Sequence, residues 1–384
     1  MTTIYSSVAC NLDAHILSAS LPLFAEGKIE AVEWSFDALY QYPEIPEWFG
    51  NLIGTFSENN RLTGHGIYFS LFSGKWTEAQ AGWLKKLRSL SSQYNFDHVS
   101  EHFGFMTGKD FHHGAPLGVP YTDSTLRIGI DRLKRIQEAC SCPAGLENLA
   151  FSYSPDEVKK HGEFLEKLVS PVNGFIILDL HNLYCQLCNF GFDYHDMIGL
   201  YPLERVREIH ISGGSWQDSH TEAGRVIRRD THDNSVPEEV FGLLKATIPR
   251  CPQLKFVVLE QMGTSLDTGK SRREFQNDFL RMDAIVKNSL TSRTACLPNH
   301  FMPEVKAALT APPAEDPVLY EQQCMLSLVL EKAEDYGEAL RLLSGSPLAN
   351  SPWDIENWDP SMLETAVRIA QKWQGGFERR QNVT

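Results

Sequence analysis

Long apolar runs are missing from this chain. No uninterrupted stretch reaches membrane-spanning length, so helical insertion into a bilayer is not expected. The opening residues, MTTIYSSVACNLDAH, lack a basic region followed by an apolar core, so no secretory signal is expected and the protein reads as soluble and cytoplasmic. Positive charge is scarce as well. Lys and Arg number 35 against 49 Asp and Glu, a formal net charge of −14, and the basic residues do not cluster strongly. That field repels polyphosphate and argues against a nucleic-acid partner. Paired cysteine motifs are also lacking. Eight cysteines are scattered over 384 residues, and the close pair Cys185-x-x-Cys188 has no second pair to complete a structural zinc site. A disulfide scaffold is excluded at this size.

What is present is an alternation. Strand-like runs at residues 4–10, 31–34, 62–69, 96–103, 144–149, 175–180, 207–212 and 256–259 are separated by segments with helical apolar spacing, such as Leu126, Ile130, Leu133 and Ile136. Eight such units predict an α/β fold, a (β/α)8 barrel over residues 1–298, with a doubly wound sheet as the fallback. A Pro/Ala-rich joint at residues 310–317 leads into helical segments, so residues 299–384 read as a helical C-terminal appendage, a lid against the barrel or a docking surface.

The strand ends carry the chemistry. The run REIHISGG ends near His210 and is followed by Asp230-x-His232, three candidate metal ligands from one strand and its loop. In a barrel of this kind the carboxyl ends of the strands converge on one mouth, which would gather His65, His102, Glu147, Asp179, His210, Asp230, His232 and Glu260. Imidazoles and carboxylates without thiolates suit zinc, iron or manganese, and eight donors suggest two or three ions with Glu147 shared. Glu101, His181 and His113 are candidates for contact with substrate, Glu101 standing beside the ligands rather than among them.

The order Glu147, Asp179, Asn182, His210, Asp230-x-His232, Glu260, with His65 and His102 upstream, resembles the xylose-isomerase-like barrels that hold several metals. Two families share that layout: the trinuclear-zinc endonuclease IV type of phosphodiesterase and the multinuclear non-heme iron-dependent oxidative enzymes. The phrases Gly64-His65-Gly66, Ser100-Glu101-His102, Leu146-Glu147-Asn148, Leu178-Asp179-x-x-Asn182-x-Tyr184, Asn189-x-Gly191-Phe192-Asp193 and Ile209-His210 are similar to the second, over roughly residues 1–290. Asn182 stands where the endonuclease would place a His, and its amide oxygen shifts the site toward iron. His181 and Gln261 depart from the iron family's pattern, and the helical tail lies outside the resemblance.

The resemblance implies an O2-using oxidation of a residue, commonly Cys, in a ribosomally synthesised precursor peptide at two or three iron ions of mixed Fe(II)/Fe(III) valence. It places His65, His102 and Glu147 at one edge of the cluster, Asp179, Asn182, His210 and Glu260 at its centre, and Asp230 and His232 at the remaining ion. Glu147, Asp179 and His210 would be catalytic. A separate leader-binding partner protein is often required in that family. Alternatives are an endonuclease IV-like zinc phosphodiesterase, a sugar isomerase or epimerase, and a metal-dependent binding subunit without turnover.

Overall fold

The computed structural model describes residues 3–40, 44–107, 114–289, 298–303 and 309–373. Eight parallel strands close into a barrel: β1 (Tyr5–Ala9), β2 (Ala31–Trp34), β3 (Leu62–Gly66), β4 (Val99–His102), β5 (Ala144–Glu147), β6 (Phe175–Asp179), β7 (Val206–Ile211) and β8 (Phe256–Leu259). Each pairs with its sequence neighbour, and β8 closes onto β1 through Val8 opposite Leu259. The strands are short and almost wholly buried because helices cover them outside and side chains fill them inside, with polar residues such as Ser7, Thr63 and Ser100 among the buried ones. No helix among the described residues is long and apolar enough to cross a membrane.

Register sets the height of each side chain in the barrel. His102 lies opposite Glu147, and Asp179 lies opposite His210. The second pairing depends on an irregularity: Ile176 faces Val206 but Ile177 faces Glu208, so Arg207 is passed over. Without that slip Asp179 would meet Ile209, and the imidazole would be one residue out of step with the carboxylate.

The amino ends of the strands are plugged. Phe301, fully buried at φ 52°, packs against Phe175 with ring centroids 6.0 Å apart, and Arg207 lies over the Phe301 ring. The carboxyl ends open into loops flanked by the C-terminal helices Pro317–Lys332, Tyr336–Ser344 and Pro360–Trp373. Gln323 bonds the backbone at Phe72 and Gly74, Trp358 stacks on Tyr153 at 3.8 Å, and Asp359 pairs with Arg225. All four partners belong to loops that leave the carboxyl ends of strands, so the appendage braces the mouth.

That bracing changes one apolar face. Helix Asp123–Cys140 buries Leu133 and Ile136, as its spacing predicts, whereas Leu126 and Ile130 are half-buried and Ile128 and Arg132, outside that spacing, are fully buried. The guanidinium is accommodated because Asp131 and the Ala314 carbonyl bond it and Trp76 lies beneath it.

Candidate metal centre

His65 and His102 leave the ends of β3 and β4 with their Nε2 atoms 3.2 Å apart, and Glu147 Oε2, from the end of β5, lies 3.3 Å from each. Three donors held about 2.1 Å from one divalent ion stand about 3.0–3.4 Å from one another, whether the geometry is octahedral or tetrahedral. The triangle therefore has the edges of a ligand set. Ser100 Oγ donates to the Gly64 carbonyl and sits 2.8 Å from His65 Nδ1, so that nitrogen carries the ring hydrogen and Nε2 keeps a lone pair toward the triangle.

The other oxygen of Glu147 serves a second set. Glu147 Oε1 and Glu260 Oε2 lie 3.3 and 3.4 Å from His210 Nδ1, and Asp179 completes a group whose ligand atoms all fall within 4.8 Å. Asp179 has two tasks. As the N-cap of helix Leu180–Phe190 its Oδ1 accepts the Asn182 N–H at 2.6 Å, while Oδ2 is buried without a partner. Asn182 directs its amide nitrogen to the Asn148 carbonyl at 2.7 Å and leaves Oδ1 similarly orphaned. Asn148 in turn exchanges two hydrogen bonds with the Asp179 backbone, tying the tips of β5 and β6 together. Buried acceptors without donors are costly alone and suited to a cation, so the residues fit a metal.

Asp230 and His232 join at the outer side. Asp230 Oδ1 lies 2.9 Å from both His232 Nε2 and His181 Nδ1, and His232 Nδ1 is 3.9 Å from Glu260 Oε2. His232 holds φ 52°, a left-handed conformation costly for a side-chain-bearing residue. His181 is buried, with Nε2 accepting from Arg228 at 3.0 and 3.2 Å, so both ring nitrogens are engaged by protein. Glu101 is buried too, with its Oε2 2.2 Å from where a Cβ on Gly66 would stand, which is why glycine follows His65. His113 lies outside the described residues.

Residues 42–274 match the family described as RiPP precursor modification enzyme MbnB/TglH/ChrH. The chain belongs to that family. A UPF0276 protein of Caulobacter vibrioides is 27% identical over 232 residues, covering 58% of this chain and 79% of that protein. A UPF0276 protein of Acaryochloris marina is 31% identical over 196 residues, covering 49% and 66%. Among solved structures, a xylose isomerase domain protein from Planctomyces limnophilus aligns with a TM-score of 0.49 at 12% identity, over 74% of this chain and 98% of that one.

In this member of the MbnB/TglH/ChrH family the charges of the metal-free site pull its acids and imidazoles in opposite directions. Burial opposes the His65 cation, yet Glu33 and Glu147 push that imidazole up to about 10; burial and the His65 charge push His102 down to about 4. Burial likewise opposes charge on His232, which Asp230 nonetheless pushes up to about 10. Burial, with Glu147 and Asp230 nearby, drives Asp179 well above the usual carboxylate range. A divalent ion held here would replace these protons as the counter-charge.

Two carboxylates escaped the sequence reading. Glu33 on β2 and Glu208 on β7 are fully buried beneath His210, at 3.1 and 3.2 Å from its Nε2. Glu208 was discoverable, since residues two apart on a strand share a face and Glu208-Ile-His210 has that spacing. Glu33 carried a weaker signal, a single charge inside the apolar run Ala31–Trp34.

Proposed function

We propose that the protein oxidises a residue, a cysteine, of a ribosomally synthesised precursor peptide, using dioxygen and a cluster of two or three iron ions. Membership of a family of RiPP-modifying enzymes supports the peptide substrate. The observation that carries the metal cluster is Glu147, whose two oxygens face different ligand sets: Oε2 toward His65 and His102, Oε1 toward His210. One carboxylate between two sets is the arrangement a multinuclear centre requires. Nitrogen and oxygen donors without a thiolate, with an amide oxygen at Asn182, favour iron over a closed zinc site.

Bound iron of mixed valence would supply the redox chemistry, accepting a substrate thiolate and passing electrons to dioxygen. The chain does the rest. His65, His102 and Glu147 hold one ion; Asp179, Asn182, His210 and Glu260 hold the centre; Asp230 and His232 hold the outer one. Glu147, Asp179 and His210 act nearest the reacting atoms. Glu101 and His181, buried behind the ligands, position His102 and Asp230, and His113 is assigned to substrate contact. A partner protein that binds the leader segment completes the reading, with the C-terminal helices as its docking surface.

The test is reconstitution of metal-free protein with ferrous iron or with zinc, in the presence of the precursor peptide encoded beside it. Oxygen uptake and a peptide mass change with iron alone are expected. Full activity with zinc, or nicking of abasic DNA, overturns the reading in favour of a phosphodiesterase.

A further inference from the structure

Below the ligands the barrel interior holds a column of buried acid and imidazole groups, in which the ligand atoms of Glu33, Glu208 and His210 fall within 4.8 Å of one another. His210 Nε2 points down between Glu33 Oε2 at 3.1 Å and Glu208 Oε1 at 3.2 Å. His98 Nε2 approaches the same Glu208 oxygen from below at 3.4 Å, and His98 Nδ1 lies 3.1 Å from Asp97. Asp97 is bound in turn by Arg207 and Lys255 at the foot of the barrel. Glu33, His98, Glu208 and His210 are each 0% exposed, in an interior where a bare carboxylate is strongly disfavoured.

From this geometry we infer that Glu33 and Glu208 are positioning residues: Glu208 Oε1 accepts the Nε2–H of His210 from beneath at 3.2 Å, and Glu33 Oε2 stands 3.1 Å from the same nitrogen as a counter-charge, which reserves the Nδ1 lone pair for the metal centre above. A neutral imidazole has one N–H, and a nitrogen lying between two carboxylate oxygens is the one that must carry it. His210 Nδ1, which has no hydrogen-bond partner, faces Glu147 and Glu260 with its lone pair. His98 holds Glu208 in place, and Asp97 with its two cations anchors His98. A carboxylate on the N–H, with a second one beside it, also adds negative charge to the ring, making Nδ1 a stronger donor. The inference rests on His210 serving as a metal ligand.

The experiment compares E33Q, E208Q and the double variant with wild type in full-length iron-loaded protein. Three readouts are taken: iron retained against a chelator series, the Mössbauer spectrum, and the thermal midpoint of the metal-free form. Each single variant should lose iron about tenfold more readily and the double variant about a hundredfold, with altered parameters for one iron site. The metal-free midpoint should fall, because removing one partner of a buried acid–imidazole contact leaves the other uncompensated, so it serves as the control for a merely structural role. Iron retention equal to wild type, or a drop in metal-free stability with an unchanged spectrum, overturns the inference; should E208Q not fold, E33Q carries the test alone. Wild type that retains no iron overturns the metal reading itself and this inference with it.

Discussion

His65 and His102 turn their Nε2 atoms toward each other at 3.2 Å, with Glu147 Oε2 equidistant from both. Two imidazole lone pairs at that separation repel unless a proton or a cation lies between them. In the metal-free protein the two rings therefore titrate far apart, His65 upward and His102 downward, and under the proposed function an ion would take the place of that proton.

Removing one corner of the triangle should remove one ion. His102→Ala is expected to bind about one metal fewer per chain than wild type, measured by elemental analysis after iron reconstitution. Peptide turnover should fall at least about tenfold, since even partners outside the ligand set are worth that much. Unchanged metal content would rule out the triangle as a binding site.

Metal should stabilise the fold measurably. Asp179, Glu147 and Glu260 converge within one 4.8 Å group, and burying their charges together is unfavourable until a cation arrives. Raising free ferrous ion to about a hundred times its Kd should add about 2.7 kcal/mol, seen as a concentration-dependent rise in thermal midpoint. A midpoint indifferent to iron and to chelator would contradict this.

A pH dependence follows from His161, which lies away from the ligands. Burial pushes its imidazole down to about 4 from an ordinary value of 6.5, and its Nε2 accepts the Leu149 N–H at 3.3 Å in the neutral form. The unfolded chain takes up this proton near 6.5 and the folded one only near 4, so the contribution is full above pH 6.5 and is lost as pH falls toward 4. Across that window the loss is roughly 3 kcal/mol. Denaturant unfolding of metal-free protein at stepped pH should show a shallower acid limb in His161→Gln; parallel curves would exclude the assignment.

The appendage should detach when its aromatic anchor goes. Trp358 stacks on Tyr153 at 3.8 Å and 11°, and its Nε1 donates to the Trp353 carbonyl at 2.8 Å. Trp358→Ala is expected to cost about 3–5 kcal/mol locally and to expose the joint near residues 309–316 to limited proteolysis. Wild-type resistance would place the anchor elsewhere.

Glu364 should govern the loop after β7. Its carboxylate accepts the His220 N–H at 2.9 Å and the Thr221 N–H at 3.3 Å, and Ser219 Oγ at 3.0 Å. Glu364→Ala should speed amide hydrogen exchange at residues 220 and 221 while leaving the barrel strands protected. No change in exchange would mean the loop is held by other contacts.

Much of this architecture was legible in the chain. The runs at residues 31–34 and 256–259 appear as strands with the expected bounds, and helices occupy the C-terminal stretch read as helical. Hydrophobic periodicity reports local conformation directly, so these elements needed no tertiary information. Arg132 illustrates the limit: a cation on a helix face reads as solvent-facing until a distant carbonyl, Ala314, is known to cover it. Glu33 is similar, since its partner His210 lies 177 residues away in the chain and nothing local marks the contact.

The residues alone determined that eight strands would alternate with helices and that nitrogen and oxygen donors would collect where the strands end, because side-chain period and strand polarity are local properties. Only the closed barrel decided which donors share a space. The slip past Arg207 brings His210 level with Asp179, the N-cap of one helix occupies half of the Asp179 carboxylate, and two carboxylates from β2 and β7 meet beneath one imidazole. Those are distances between segments far apart in sequence, set by how the strands shear and pack, and a linear chain carries no record of them.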